Sequence, residues 1–320
     1  MRHNIAIQRV LFHYDPPPRL HAWVASHQGA DREILCCAQD DETQFERLLP
    51  TVEVIWHVLK RITPEQVRAA TNLKLIQKIG VGVNTIAVDA ARERGIAVCN
   101  MPGANSRAVA EMTLLLMLAA LRQLPRLDRS LRAAQWAAPG RVQAMLGELG
   151  GRTVGLVGAG QVPRLLAPWL TVMGASVIYA NRGQAHDFPY QHCSLDALLS
   201  ASDIVSLHLP ATPDTERLIG TSQFAQMKPN AILVNTARGE LVDESALMAA
   251  LDQGTIAAAA LDVFATEPLA ANHPLLTRDD VIVSPHVAWL TNETWERSLT
   301  VALENCRRLK RAETLLNRVA

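Results

Sequence analysis

"LVGAGQVPRLLAPWL", Leu156 to Leu170, is the stretch on which the reading of the fold turns. An apolar run, Thr153 to Val157, enters it as a strand, and Gly158, Ala159 and Gly160 then turn the chain into a segment with helical spacing. A strand that turns through G-x-G into a helix leaves unpaired backbone N–H groups at the positive end of the helix dipole, a place suited to a pyrophosphate. Gly158 permits the tight turn, and Gly160 lets the backbone approach phosphates. The full fingerprint G-x-G-x-x-G has a third glycine where this chain has Pro163. With a helix starting near Gln161, that proline falls in the first turn, where no intrahelical hydrogen bond is lost. Gly158, Gly160, Gln161 and Val162 are therefore candidate cofactor-binding residues. Without the third glycine the helix is expected to sit slightly further from the strand. Pro168 removes the bond to the carbonyl of Arg164 and is expected to kink the helix.

The same rhythm extends outward. Thr153 to Val157, Ser176 to Ala180, Asp203 to Leu209, Ala231 to Asn235, Ala257 to Val263 and Val281 to Ser284 are short apolar runs with helical patterns between them. Six such strands predict a doubly wound parallel sheet. A smaller series precedes them, Ile5 to Leu11, Val52 to Val58, Leu73 to Ile79 and Ile96 to Cys99, with a helix at Pro64 to Ala70, and reads as a second α/β domain. Near the end, Trp295, Leu299, Ala302, Cys306 and Leu309 form one apolar helix stripe, expected to return to the first domain. The predicted domains are 1–100 with 290–320, and 101–289.

Composition narrows the partners. The chain has 31 Lys plus Arg and 31 Asp plus Glu, with no block of one sign, so neither nucleic acid nor a membrane surface is expected, and a small molecule is. Five cysteines without C-x-x-C spacing fit neither a disulfide framework nor a zinc site, and buried thiols in a reducing cytoplasm are expected. Met1 to Gln8 lacks the apolar core of a signal peptide. Met112 to Leu121, apolar all round, is half the roughly 20 residues of a membrane span and is expected to be a buried helix.

A dinucleotide site of this kind places an acid about 20 residues on, at the end of the second strand, to hold the adenine-ribose 2′-hydroxyl of NAD. "VIYANRG", Val177 to Gly183, has Asn181 and Arg182 there. A guanidinium pairs with a 2′-phosphate and a carboxylate repels it, so NADP(H) is expected to be preferred, with NAD possible.

Three stretches then carry a family resemblance: "VNTARGELVDESAL" (Val234 to Leu247), "ALDVFATEPL" (Ala260 to Leu269) and "SPHVAW" (Ser284 to Trp289). With Lys78 to Glu111 and Asp203 to Gly220, which are similar to further segments of that family, the chain from about Glu53 onward resembles the D-isomer-specific 2-hydroxyacid dehydrogenases. The resemblance implies a Rossmann-type coenzyme domain inserted in a smaller flavodoxin-like α/β substrate domain, and a homodimer built on the helix around Met112 and the segment through Trp136. It makes Arg238, Glu267 and His286 the catalytic trio. Arg238 would grip a carboxylate and polarise the neighbouring carbonyl, His286 would donate a proton, and Glu267 would fix the imidazole's tautomer and favour its charged form. It also assigns substrate contacts to the backbone of Val81 and Gly82, and coenzyme contacts to Ser106, His208, Thr212, Thr236 and Asp262. No metal is implied.

The expected reaction is hydride transfer between NADP(H) and a small 2-keto or 2-hydroxy acid of the D series, glyoxylate or hydroxypyruvate among them. Trp289 resembles the glycerate and hydroxypyruvate reductase branch. A phosphoglycerate-type dehydrogenase is one alternative, and a nucleotide-sensing, non-catalytic protein of the same fold is another. Formate dehydrogenase is disfavoured, because that branch carries Gln at the place of Glu267. "WHVLKR", Trp56 to Arg61, is expected to face the substrate pocket, with Lys60 or Arg61 able to admit a second anionic group.

Overall fold

A computed structural model describes residues 7–136, 140–143 and 146–320. The chain forms two compact units, Met1–Asn105 with Thr291–Ala320, and Ser106–Leu290. The smaller unit holds a five-stranded, all-parallel sheet of Gln8–His13 (β1), Arg32–Cys37 (β2), Val54–His57 (β3), Leu75–Lys78 (β4) and Ala97–Cys99 (β5). Its order is β2-β1-β3-β4-β5, the flavodoxin-like arrangement. Leu11, Phe12, Ile55, Trp56, Leu75, Ile76 and Val98 are buried, so the central strands are covered on both faces and read as continuous apolar runs.

The apolar pattern starts the first strand at Ile5. The strand runs from Gln8, and Ile5 and Ala6 lie outside the described residues. Strand β2 escapes the sequence pattern, because its first two residues, Arg32 and Glu33, are charged and the apolar run that follows is short. Thr63 and Gln66 form a capping box that starts the helix Pro64–Ala69. The helix Asn292–Lys310 buries Trp295, Leu299, Ala302 and Cys306, with Leu309 half-buried. It is fastened to the sheet by Gln8, whose Nε2 donates to the Cys306 carbonyl at 3.1 Å, and by Asn305, whose Nδ2 donates to Gln77 Oε1 at 2.6 Å.

The segment from Trp56 departs from its expected place at a substrate pocket. Trp56, His57 and Val58 do not form an open lining. They are buried in the small unit's own core, because β3 is the middle strand of the sheet. His57 Nε2 bonds the Lys60 carbonyl at 2.7 Å, and the Lys60 ammonium lies 3.8 Å from Glu42, so of these residues only Arg61 is exposed.

His13, at the end of β1, stacks on Phe45 with ring centroids 4.1 Å apart, and its Nδ1 has no hydrogen-bond partner among the described residues. Burial, reinforced by the Lys60 charge, pushes its pKa down from 6.5 to about 4. The unfolded chain alone takes up a proton in that interval. Stability is therefore unaffected by this ring above about pH 6.5 and falls as pH drops towards about 4, by up to ~1.4 kcal/mol per pH unit. Urea melts across this range check it. His13→Phe, which keeps the stack, should flatten the decline, and an unchanged slope excludes His13 as its source.

The larger unit is a doubly wound, Rossmann-type sheet of seven parallel strands: Thr153–Val157 (β6), Ser176–Ala180 (β7), Gln191–His192 (β8), Ile204–Leu207 (β9), Ile232–Asn235 (β10), Ala258–Leu261 (β11) and Val281–Val283 (β12). The order is β12-β11-β10-β9-β6-β7-β8, so the chain reverses direction across the sheet between β6 and β9. The sequence pattern predicts six of them. The seventh, β8, is a two-residue edge strand, too short for any periodicity. Val157 is level with Ala180 and Leu207, Asn235 with Leu207 and Leu261, and Leu261 with Val283. Loops after these strands therefore leave from one edge, beside the switch point, where open α/β sheets take their ligands.

The helix Gln161–Val172 starts with Gly160 as its N-cap, and Pro163 is its third residue and is buried. The helix continues through Pro168 to Val172. The helix Ser106–Leu121 packs against it and buries Ala110, Leu116 and Met117. It is not buried all round, because Leu115 is 53% exposed. Among the described residues no single helix is long and apolar enough to cross a membrane. All five cysteines are free thiols, Cys37, Cys99 and Cys306 buried and Cys36 and Cys193 half-buried.

Candidate active site

His286 and Glu267 meet at the edge where β11 and β12 end. His286 Nδ1 lies 2.6 Å from Glu267 Oε2, and the other carboxylate oxygen, Oε1, accepts from the Phe264 amide at 3.0 Å. Burial by itself would raise the Glu267 pKa. The imidazole hydrogen bond and charge, the Phe264 amide and the Arg238 charge outweigh it and hold the carboxyl below its ordinary value. Glu267 thus remains an anion whose contact with the ring is present above the ordinary carboxylate range and is lost only as pH falls through the lowered value. With Nδ1 taken, Nε2 is the ring nitrogen left without a protein partner among the described residues.

The backbone of His286 is left-handed, φ +53°, a conformation that L residues adopt at a cost of ~1–2 kcal/mol. Asp262 holds it there. The His286 amide donates to the Asp262 carbonyl at 2.8 Å. Asp262 Oδ1 accepts from Ser284 Oγ and the Val287 amide, and Oδ2 accepts from the Ala288 amide. Burial raises the Asp262 pKa despite these bonds. Trp289 completes the clamp, its indole donating to the His286 carbonyl at 3.0 Å. Sequence reading places Asp262 among coenzyme contacts. Most of its bonding capacity is spent on the loop that carries His286.

Arg238 follows β10. Its Nη1 donates to the Ala237 carbonyl at 2.6 Å, and no other hydrogen bond of its guanidinium is found among the described residues. Burial lowers its pKa, and the charges of Glu240 and Glu267 oppose that. The guanidinium stays cationic, since arginine does not lose its proton in proteins. Two residues that sequence reading missed shape this turn. Buried Asn235 accepts from the Ala237 amide and donates to the Arg238 carbonyl, which fixes the chain on both sides of position 237. Gly239 lies so close to the backbone of Phe264 and Ala265 that an added Cβ would overlap the Phe264 carbonyl and the Ala265 nitrogen. That contact brings the loop bearing Arg238 against the loop bearing Glu267. The only sequence signal was a glycine beside a charged residue at a strand end.

At the β6 turn Gly158 has φ +112°, and a Cβ there would stand 2.7 Å from the His208 carbonyl oxygen, so the position needs glycine twice over. A Cβ on Gly160 would meet nothing within 4 Å, which leaves the approach to the helix start open, with the Gln161 and Val162 amides in its first turn. The residues present therefore fit a dinucleotide. His208 bonds Ser206 Oγ through Nε2 at 3.0 Å, and burial pushes its pKa down to about 3. Asn181 and Arg182 are exposed after β7. The Asn181 amide bonds the Gly183 carbonyl, and Arg182 makes no ion pair among the described residues.

Thr212 and Thr215 bond each other in the turn beyond β9, and Thr236 bonds Thr113 at 2.7 Å. Ser106 is buried at the start of its helix. On the small unit, Val81 and Gly82 follow β4 in an exposed loop begun by Gly80 at φ +142°. That loop is held by the Met101 amide on the Gly80 carbonyl and by Asn100 on the Val81 carbonyl. No cluster of three metal-ligating side chains exists among the described residues.

The family model for the D-isomer specific 2-hydroxyacid dehydrogenase, NAD binding domain, matches residues 114–288. A glyoxylate reductase from Thermofilum pendens is 41% identical over 251 residues, 77% of this chain and 74% of that protein. A D-3-phosphoglycerate dehydrogenase from Archaeoglobus fulgidus is 40% identical over 237 residues, 73% of this chain and 44% of that one. The chain spans about half the length of the D-3-phosphoglycerate dehydrogenases it matches. Among solved structures, the TT0316 protein from Thermus thermophilus superposes with a TM-score of 0.88 at 34% identity, covering 98% of this chain and all of that one.

Proposed function

Because the chain belongs to the D-isomer specific 2-hydroxyacid dehydrogenase family, we propose that it reduces small 2-keto acids such as glyoxylate or hydroxypyruvate to D-2-hydroxy acids, with NADPH preferred to NADH. The observation that carries this reading is the 2.6 Å contact between Glu267 and His286, with the Arg238 charge acting on the same carboxylate. When bound, the coenzyme supplies a hydride.

The chain supplies the rest. Arg238 pairs with the substrate carboxylate and polarises the adjacent carbonyl. Glu267 accepts a hydrogen bond from Nδ1–H of His286, so the ring presents Nε2, and the anion beside it favours the imidazolium. Nε2 gives its proton to the carbonyl oxygen as the carbonyl carbon accepts hydride, which leaves a neutral ring to be reprotonated from solvent. Gly158, Gly160, Gln161 and Val162 would hold the pyrophosphate. Ser106, His208, Thr212, Thr236 and the remaining capacity of Asp262 are assigned to the rest of the coenzyme. The backbone of Val81 and Gly82 offers further amides for a carboxylate.

The proposed preference for NADPH rests on Arg182, an exposed guanidinium with no ion pair among the described residues, where an acid would repel the 2′-phosphate. Arg182→Asp is expected to raise the KM for NADPH by about tenfold or more and to leave that for NADH within about twofold, the loss of one charge-assisted contact. A wild-type protein that strongly prefers NADH would refute the assignment.

Oxidation of NADPH by a panel of keto acids, followed by absorbance, tests the function. Coenzyme binding without turnover across the panel would favour the nucleotide sensor, and turnover confined to a phosphorylated keto acid would favour the phosphoglycerate-type reaction. A homodimer is proposed as well, since Leu115, Leu124, Leu131 and Trp136 are all more than half exposed on the larger unit. Light scattering in solution decides it.

A further inference from the structure

We infer that Glu244, together with His273, is the positioning residue that holds the Glu267 loop in register with His286. The inference rests on the catalytic reading of Glu267 given above.

Glu244 is the first residue of the helix Glu244–Asp252, just after the capping Asp243, so its backbone is fixed by a helix start. Its carboxylate reaches across to the loop between β11 and Pro274. Oε1 accepts from the Ala265 amide at 2.7 Å. Oε2 stands 3.6 Å from His273 Nε2. The Leu275 amide donates to His273 Nδ1 at 3.3 Å, which requires a lone pair on Nδ1 and puts the ring hydrogen on Nε2, facing Glu244. One carboxylate thus bridges the outgoing and returning legs of a loop whose exposed middle carries Glu267.

The geometry distinguishes this from an ordinary helix-start acid. An acid that served only the helix dipole would leave its oxygens to water or to its own first turn. Here both oxygens are directed at the loop, and Ala265 is also one of the two residues against which Gly239 packs. The amide that Glu244 holds is next to the Phe264 amide that Glu267 itself engages. If Ala265 shifts, the Glu267 carboxylate shifts with it, and a 2.6 Å contact to an imidazole tolerates little displacement.

The test uses the full-length protein with glyoxylate and NADPH. Glu244→Ala is expected to lower kcat by about tenfold while the coenzyme KM stays within about twofold, because only the placement of the acid partner is disturbed. Glu244→Gln keeps an oxygen for the Ala265 amide and should recover most of kcat, although it removes the charge that favours the helix start. In a Glu267→Gln background, adding Glu244→Ala should cost less than about twofold more, since residues acting through one another are not additive. Amide exchange over residues 262–274 should quicken in Glu244→Ala and not in Glu244→Gln.

Equal losses from Glu244→Ala in both backgrounds would overturn the inference, as would failure of Gln to rescue or unchanged exchange in the loop. If the wild-type protein turns over no keto acid, the catalytic reading fails, and the exchange measurement still judges the anchor.

Discussion

Replacing His286 by alanine is expected to lower kcat for keto acid reduction by about two to four orders of magnitude, the range that a positioned general acid contributes, while coenzyme affinity is kept. The expectation follows from what else is at hand. His208 lies in the same unit, but its pKa of about 3 makes it neutral at working pH, and its Nε2 is engaged with Ser206, so it cannot take over as an acid. His273 is committed to Glu244 and to the Leu275 amide. The turn proposed to hold the coenzyme is built from Gly158, Gly160 and the start of the helix Gln161–Val172, none of which hydrogen-bonds the imidazole among the described residues. The loop itself should survive, because the bonds from Asp262 reach it through the Ser284 side chain and backbone amides and not through the His286 ring. Steady-state kinetics and a fluorescence titration with NADPH check both halves of the expectation. Turnover within tenfold of wild type, with glyoxylate saturating, would mean that the proton comes from elsewhere.

Gly239→Ala carries the second large effect, and it acts through packing. The added methyl would be driven into the main chain at Phe264 and Ala265, where no flexible side chain can swing aside. One of the two loops must retreat, by about an ångström or more if ordinary van der Waals contact is to be restored. Overpacking of this kind costs about 1–3 kcal/mol, occasionally more. The catalytic consequence is larger, since about an ångström of misplacement can cost 10²-fold. The retreat also parts the Arg238 turn from the loop that bears Glu267. A drop in kcat of about a hundredfold with a melting temperature lowered by several degrees is the expected pair of results. Wild-type turnover in a protein of unchanged melting temperature would show that the two loops do not touch as described.

Much of the fold could be read from the chain because central parallel strands are buried on both faces. Thr153–Val157 and Ser176–Ala180 have no polar alternation to blur them, and glycine or asparagine marks where each ends. Two of the four edge strands, β2 and β8, gave no such signal, whereas β5 and β12 are apolar enough to be read. Arg32–Cys37 mixes charge with apolar residues, and Gln191–His192 is exposed and too short to have a pattern. The segment from Trp56 misleads for the converse reason. His57 looks like a polar residue available to a ligand, yet it lies in the middle of a covered sheet, where it bonds its own loop.

The site divides in the same way. Arg238, Glu267 and His286, the trio proposed to do the chemistry, were singled out by family resemblance, since their motifs stand in order along the chain, and it is their proximity that the structure adds. What holds them was not. Gly239 matters through the approach of one backbone to another, and Asp262, Asn235 and Glu244 through bonds to amides distant in sequence or hidden in a turn. No periodicity or spacing encodes such contacts, because they exist only once the strand ends have been brought to one edge. The opening proline shows the opposite case. Pro163 breaks a written rule and leaves the helix start intact, because the first turn never needed its donor.

The left-handed backbone at His286 sets stability against the proposed chemistry at one position. Glycine or asparagine would relax there, whereas the proposed proton transfer requires an imidazole on a backbone that resists it. Glycine at this place would therefore be expected to ease the backbone and to end the proposed proton transfer together.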